Sequence, residues 1–460
     1  MEKFLAKADL HLHSKASNLP GAWFSELVGC PESFAEPLEI YKRLKERGMT
    51  YITITDHNTI EGVLEIAHLP EVFISCEYTV GFPEGSKVHV LVYGLTEEDH
   101  GELLRLRENI YDFVKYLKTK RLAHSLAHPL YSVQGTQVDK SLVEKMVLLF
   151  DNWEVINGTR GDDVRYIEEA IARSYDGWEK IYYLAEKYKI EPQRVRDRIS
   201  FTAGSDDHGG MDVGRTWTEV EGAKSKEEFL RRLWEGKTQV GTEELGEERL
   251  LNTVCRVSYD FLKSKNLIPS EVKPIADYLF MHSDNSIVGF MLRNFLGVRA
   301  ERHRMLKEVA RILPSITIER LLKSPSPQTF GELCLSLMAH GFPAFLKYAQ
   351  KREEEKIKGL GREFGINKGK PPKVAYITDT YHHINGVARS AKLIRQIALE
   401  EDLPFTIIVS STQMKEEEGL INLKPLIEIP TPFYEELRMG LPNLLDLLDL
   451  LEKEGFTQLH

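Results

Sequence analysis

The sequence predicts an α/β protein in three parts: a β/α barrel over residues 1–245, a helical connecting region over 246–366 and a partial Rossmann-like unit over 373–460. Three observations support this division. Apolar runs alternate with amphipathic stretches from Phe4 to about residue 240, the pattern of strands and helices in turn. Helical periodicity then becomes nearly continuous and strand signals almost vanish. After the Gly-, Lys- and Pro-rich stretch from Gly365 to Pro372, a strand–helix–strand pattern begins again at Lys373.

Within the first part, strands are expected near residues 4–10, 50–55, 72–76, 87–93, 121–127, 153–156, 199–203 and 216–220. Helices fall between them. Leu38–Lys45 carries apolar residues at helical spacing before Gly48, and Gly101–Lys120 reads as one longer charged amphipathic segment. Such alternation fits a parallel barrel or an open doubly wound sheet. The barrel is favoured because candidate ligands recur at the carboxyl ends of at least five strands, where a barrel gathers its functional groups.

The second part shows helical spacing from Phe290 through His303 to Ile312 and ends in the mixed charges of Phe345–Gly359. In the third, Lys373–Ile377 and Phe405–Val409 read as strands, Asn385-Gly386-Val387 opens a helix to about Glu400, and Phe456–His460 reads as a further strand. No internal repeat is visible.

Composition narrows the function classes. A chain of 460 residues has room for two or three domains at the usual ~100–200 residues each. The formal charge of -10 is spread over interspersed acids and bases, without the basic footprint of a duplex-binding protein. No window approaches the ~18 apolar residues of a spanning helix, and Met1–Leu5 is too short an apolar stretch for a signal peptide. The cysteines, Cys30, Cys76, Cys255 and Cys334, are far apart without CxxC spacing, so reduced thiols and a cytoplasmic setting are expected.

The chemistry gathers before residue 210. His11 and His13 are two apart in an extended run and so share a face, where together they can hold a metal ion. His57, Glu77, His89, His128, Asp206 and His208 each stand at the end of an apolar run or beside an acid. Imidazole and carboxylate suit zinc, manganese or iron, and a bridging carboxylate such as Glu77 lets two cations approach to ~3.5–4 Å. A shared water then loses its proton near neutral pH, because zinc alone lowers its pKa to ~7. The resulting hydroxide is the expected nucleophile. Neither a GxSxG elbow nor a P-loop lysine is present.

Ala8-Asp9-Leu10-His11-Leu12-His13-Ser14, Ile54-Thr55-Asp56-His57-Asn58, Ala127-His128-Pro129 and Gly204-Ser205-Asp206-Asp207-His208 resemble, in order and spacing, the four motifs of the polymerase-and-histidinol-phosphatase (PHP) family. The resemblance covers about residues 1–240. It implies a distorted (β/α)7 TIM-like barrel that hydrolyses phosphoesters with two or three divalent ions at one rim. By position, His11, His13, Glu77 and Asp206 would hold one ion, and Glu77 with His89 and His128 a second. A third would take His57, His208 and an acid or His just after the first motif, where this chain has Asn18, equally readable as a turn residue before Pro20-Gly21. Glu77, Asp206 and His208 are the expected catalytic groups. Asp9 and Asp56 either orient imidazoles or cap turns, and Asp207 points away in an extended segment. Arg160 and Arg215 read better as ordinary solvated arginines than as phosphate ligands.

Ile377–Tyr381 with Asn385–Ser390 resembles the opening of the first Rossmann half of family 4 glycosyltransferases of the GT-B fold, with His382 and His383 as loop residues. A second half would be needed for sugar transfer. The segment is therefore expected to be a piece of a longer fusion or a docking unit. Taken together, the expectation is a metal-dependent phosphoesterase acting on a phosphomonoester or phosphodiester. Its substrate would be a small phosphorylated molecule, by association with the fusion a glycan or glycolipid intermediate. The alternatives are a metal-stabilised scaffold or regulator of a glycosyltransferase, and a metal-dependent hydrolase of a non-phosphate bond.

Overall fold

In the computed structural model, which describes residues 4–17, 30–243, 248–266, 273–280, 286–294, 297, 305–366, 373–382, 385–412, 414–431 and 434–460, the chain is mixed α/β. Asn18 and His383 lie outside these residues. The chain divides into two compact units, Met1–Val288 with Gln350–Asn367, and Gly289–Ala349 with Lys368–His460. The helical region expected over 246–366 is thus shared between them.

The first unit begins with β1 (Leu5–Ala8), α1 (Pro37–Glu46), α2 (Glu61–Leu64), β2 (Ser75–Gly81), β3 (Lys87–Tyr93), α3 (Glu97–Leu106), α4 (Ile110–Lys120) and β4 (Ala123–Leu126). It continues with α5 (Lys140–Leu149), β5 (Asn152–Asn157), α6 (Asp162–Ser174), α7 (Trp178–Tyr188), β6 (Ser200–Gly204), β7 (Thr216–Glu221), α8 (Lys226–Trp234) and β8 (Gln239–Thr242), then α9 (Glu248–Ser264) and α10 (Lys273–Phe280). Five strands pair in the order β2-β3-β4-β5-β6 and three in the order β1-β7-β8. The two sheets meet where the Thr218 hydroxyl accepts from Ala203 N at 2.8 Å and donates to Ala203 O at 3.0 Å.

Strand direction corrects the all-parallel expectation. β2, β3 and β4 pair antiparallel, β4, β5 and β6 parallel, and β1, β7 and β8 antiparallel. The turn from β2 to β3 is too short for the crossover a parallel pair needs, whereas α5 and the α6–α7 pair supply such crossovers. Residues 50–55 form no strand beyond a single bridge between Ile52 and Val72, and the strand expected at 72–76 starts at Ser75. β8 was not anticipated from its short, half-buried sequence. The segment 101–120 holds two helices: Asn109 interrupts it by accepting from Tyr111 N at 3.1 Å, the N-cap bond that starts α4.

The core lies between sheet and helices. Trp153, Tyr78, Tyr93, Phe113 and Phe150 are fully buried, and α5 buries Leu142, Val143, Met146, Val147, Leu148 and Leu149. Deep in this packing, β6 crosses the segment after β1 at Gly204. A Cβ at Gly204 would lie 2.3 Å from His11 Cβ and 2.5 Å from His11 N. Only glycine lets the two backbones approach this closely.

The second unit contains α12 (Met305–Lys323) and the part of α13 (Pro327–Glu363) up to Ala349, preceded by α11 (Ser286–Asn294) at the boundary. It then runs through β9 (Val374–Ile377), α14 (Gly386–Glu400), β10 (Phe405–Val409), β11 (Leu420–Asn422), β12 (Pro425–Thr431), β13 (Tyr434–Pro442), α15 (Leu444–Lys453) and β14 (Gln458–Leu459). Its four-stranded sheet is parallel with order β11-β10-β9-β14. Counted from β9 this is three-two-one-four, the order of the first half of a doubly wound sheet. Asn385 caps α14 by accepting from Ala388 N at 2.8 Å. Arg311 on α12 pairs with Asp446 at 2.7 Å and with Asp449, and Lys347 on α13 pairs with Glu452 at 2.6 Å, which ties both helices to α15.

Replacing Gly204 with Ala is expected to destabilise the chain by about 1–3 kcal/mol, the range for an overpacked core. Because the displaced atom is the His11 backbone, metal affinity should fall with it. Urea unfolding of the metal-free and metal-loaded variant beside the parent checks both.

Candidate metal centre

The loops after the strands of the first unit are joined by backbone bonds into a circuit. Asp206 N donates to His11 O at 2.6 Å, Thr55 N to Leu12 O at 2.9 Å, Glu77 N to Asp56 O at 3.2 Å and Ala127 N to His89 O at 3.0 Å. β4, β5 and β6 complete the circuit through Leu126–Trp153 and Asn157–Gly204 pairing. Residues scattered over two hundred positions therefore face one point.

That point is the Glu77 carboxylate, fully buried on β2. Its Oε2 lies 3.3 Å from His11 Nε2, 3.3 Å from His13 Nε2 and 3.0 Å from His57 Nδ1. Its Oε1 lies 2.9 Å from His89 Nδ1 and 3.4 Å from His128 Nε2. Asp206 Oδ1 stands 3.4 Å from His11 Nε2, 3.6 Å from His13 Nε2 and 3.8 Å from His208 Nδ1. All eight residues singled out as ligands are thus brought together.

The spacing fits divalent ions. Two donor atoms each about 2.1 Å from one ion sit about 3.0 Å apart at a right angle and about 3.4 Å apart at the tetrahedral angle. His11 Nε2, His13 Nε2, His89 Nδ1 and both Glu77 oxygens are buried with no hydrogen-bond partner. Leaving so many polar atoms unsatisfied is costly, and a shared cation removes the cost at each. Donor atoms within 4.8 Å of one another form four sets: His11–His13–Glu77, His11–His128–Asp206, His57–Glu77–His89 and His13–His57–His208.

Second partners fix several ligands. His11 Nδ1 is 2.8 Å from Glu154 Oε1, so the ring donates there and keeps Nε2 for a metal. Glu154 also accepts from His128 N at 3.0 Å and Asn157 Nδ2 at 3.1 Å, and Asn157 Nδ2 reaches Asp206 Oδ2 at 3.0 Å. One buried carboxylate thereby positions three of the eight candidate ligands, His11, His128 and Asp206. Neither Glu154 nor Asn157 stands out in the sequence, although an acid inside the apolar run Trp153–Ile156 is a readable signal. Asp56 accepts from Ser14 N and Ser14 Oγ, each at 2.7 Å, and from Ser17 Oγ at 3.0 Å, while Ser17 Oγ lies 3.2 Å from His13 Nδ1. Asp9 accepts from Ser205 N at 2.8 Å and Gly214 N at 2.7 Å. Both aspartates brace ligand-bearing loops rather than imidazoles. Asp207 turns away to Gly209 N and Thr253 Oγ1.

The arginines depart from the solvated reading. Arg160 stacks at 3.9 Å over the Tyr131 ring, and Arg215 pairs with Asp212 and Glu243. Two of the candidate ligands also sit in left-handed backbone, His128 at φ 28° and Asp206 at φ 50°. Such conformations cost roughly 1–2 kcal/mol per residue and persist where surrounding bonds enforce them.

Without an ion the electrostatics conflict. Burial opposes ionisation of Glu77, but His11, His89 and His57 hold its pKa well below the carboxylate range. Burial alone would lower the His11 pKa, yet Glu154, Glu77 and Asp206 carry it well above the ordinary value. His13 goes the other way: burial and the neighbouring His208 and His57 push it well down. His57 is raised to about 9, since Glu77 and Glu32 outweigh its burial.

No protein-family model matches the chain. The chain is 42% identical over 67 residues to the uncharacterized protein MJ1587 of Methanocaldococcus jannaschii, a segment that spans 15% of this chain and 37% of that relative. Among solved structures it is similar to PsfC from Pseudomonas syringae (14% identity, TM-score 0.35, covering 55% of this chain and 98% of that one). It is also similar to an amidohydrolase from Chromobacterium violaceum (16% identity, TM-score 0.32, covering 50% and 97%). The metal reading rests on the side chains.

Two predictions follow from the geometry. Glu154→Gln should weaken metal binding by about 10- to 100-fold, because the new amide N–H₂ must face one of three donors; calorimetric zinc titration reads this. The second concerns pH. In the metal-free protein the His57 proton stabilises the fold fully below 6.5, and that contribution is lost as pH rises through about 9. Metal competes with protons, so zinc should bind more tightly toward pH 9 and release more protons toward pH 6.5, measured by titration in buffers of different ionisation enthalpy.

Proposed function

We propose that this chain is a metal-dependent hydrolase that cleaves phosphoesters. The observation that carries the reading is the buried Glu77 carboxylate with five imidazoles around its two oxygens. His11, His13, Glu77 and Asp206 would hold one divalent ion, Glu77, His89 and His128 a second, with a third toward His57 and His208. Zinc, manganese and iron all accept this donor set. Bound there, such ions activate water and neutralise negative charge on phosphoryl oxygens.

The chain's own residues supply the rest. Glu77 holds its carboxylate charge fully buried and Asp206 nearly so, while the side chains of His57 and His208 remain 16% and 19% exposed and mark the side from which substrate and water enter. His208 Nδ1 donates to Asp206 O at 3.2 Å, which leaves Nε2 as the ring nitrogen available to an ion. A cluster of divalent cations inverts the local charge of an acidic protein and favours a small anionic substrate. The circuit of backbone bonds at the rim supports reading the two sheets as one distorted (β/α)7 barrel.

The test is hydrolysis of an aryl phosphomonoester and the matching diester by the full chain loaded in turn with zinc, manganese or iron. Turnover should require metal. His128→Ala and Asp206→Ala should each lower it by at least about a hundredfold, as expected for loss of transition-state charge stabilisation, with the circular-dichroism spectrum unchanged. Undiminished turnover in either variant would remove the proposal.

A further inference from the structure

One buried hydroxyl stands between two candidate ligands that belong to different ions. Ser17 is 2% exposed, and its place is set by a tight turn in which Ser17 N donates to Ser14 O at 3.0 Å. Three polar groups meet its Oγ. His57 N donates to it at 3.1 Å, Asp56 Oδ1 lies 3.0 Å away and His13 Nδ1 lies 3.2 Å away. The surroundings are closed: a Cβ at Gly62 on α2 would lie 2.1 Å from Asp56 Oδ2 and 2.2 Å from Ser14 Oγ, so the helix backbone covers this network directly.

A hydroxyl has one proton and two lone pairs, so the three contacts can be assigned. The main-chain N–H of His57 can only donate, and it takes the first lone pair. Asp56 Oδ1 is an acceptor that already receives Ser14 N at 2.7 Å, so the hydroxyl proton goes to it. The second lone pair then accepts from His13 Nδ1. This assignment needs a proton on Nδ1 alone and is the same for a neutral and for a charged ring. His13 Nε2 is left as the nitrogen turned to Glu77 Oε2 at 3.3 Å.

We infer that Ser17 is a positioning residue that ties the His13 ring to the main chain of His57 through a single oxygen. A ligand of the ion held by His11, Glu77 and Asp206 is thereby set together with a ligand of the ion toward His208. The two rings stack with centroids 4.4 Å apart at 27°, so a shift of one is passed to the other. This rests on the metal-centre reading above and adds to it a side chain that itself touches no ion. Asp56 and Ser14 are buried as well, so a partner lost here leaves a buried polar group unsatisfied.

The test uses the full chain loaded with cobalt, because a histidine bound to cobalt through one ring nitrogen shows the proton on the other as a shifted, exchangeable NMR signal. The His13 signal is assigned by its loss in His13→Asn. In the parent it should exchange slowly with solvent, as a buried donor with an acceptor does, and fast exchange there would overturn the inference without any variant. Ser17→Ala should weaken cobalt binding by about 10- to 100-fold, the range for loss of a partner behind a ligand, and its His13 signal should exchange too fast to be seen. Ser17→Thr keeps the hydroxyl and should keep the signal and most of the affinity. Unchanged affinity in Ser17→Ala would overturn the inference, and so would weaker binding with the His13 signal unaltered, which would leave Ser17 as a brace for the loop. Equal loss of the signal in Ser17→Thr would overturn it too, since the hydroxyl would then not be the cause. A parent chain that binds no cobalt would overturn the metal-centre reading itself, a distinct result.

Discussion

A single buried carboxylate organises the first unit. Glu77 has no exposed surface and no conventional hydrogen-bond partner on either oxygen, yet five imidazoles converge on it. In an apolar interior such a group is tolerable only if positive charge is shared among its neighbours. The imidazoles can provide this charge as imidazolium ions, which gives the opposed pKa shifts of His11 and His13, or they can pass it to divalent cations. The second solution satisfies every donor at once. Around it the backbone accepts strain at His128 and Asp206, a cost repaid by convergence of the ligands.

The supporting groups follow from that constraint. Glu154, Asp56 and Asp9 are buried acids whose oxygens are almost entirely taken by N–H and O–H donors from ligand-bearing loops. Each fixes a loop and adds negative charge near the imidazoles around Glu77. Asp9 shows the balance: burial raises its pKa to about 6, and the Gly214 and Ser205 donors restrain that rise. Gly204 is the steric counterpart, a missing side chain that lets β6 lie against His11.

The second unit is organised differently. Its parallel strands run three-two-one-four and carry no comparable cluster of ligands among the described residues. Its helices are instead held by ion pairs from Arg311 and Lys347 to α15. No helix among the described residues is long and apolar enough to cross a membrane.

By itself the sequence determined the donor set, the strand–helix alternation and the restart at Lys373. Residue type and local periodicity are written within a few positions of chain, so His11–His13, the 87–93 strand and the 386–400 helix are legible there. Only the tertiary structure decided the mixed strand directions, the absence of a strand at 50–55, the break at Asn109, and the contacts of Glu154 and Asn157. These depend on which segments meet across tens to hundreds of residues. A carboxylate looks alike in sequence whether it faces solvent or an imidazole, and its partner at 2.8 or 3.3 Å is chosen only when the chain closes around it.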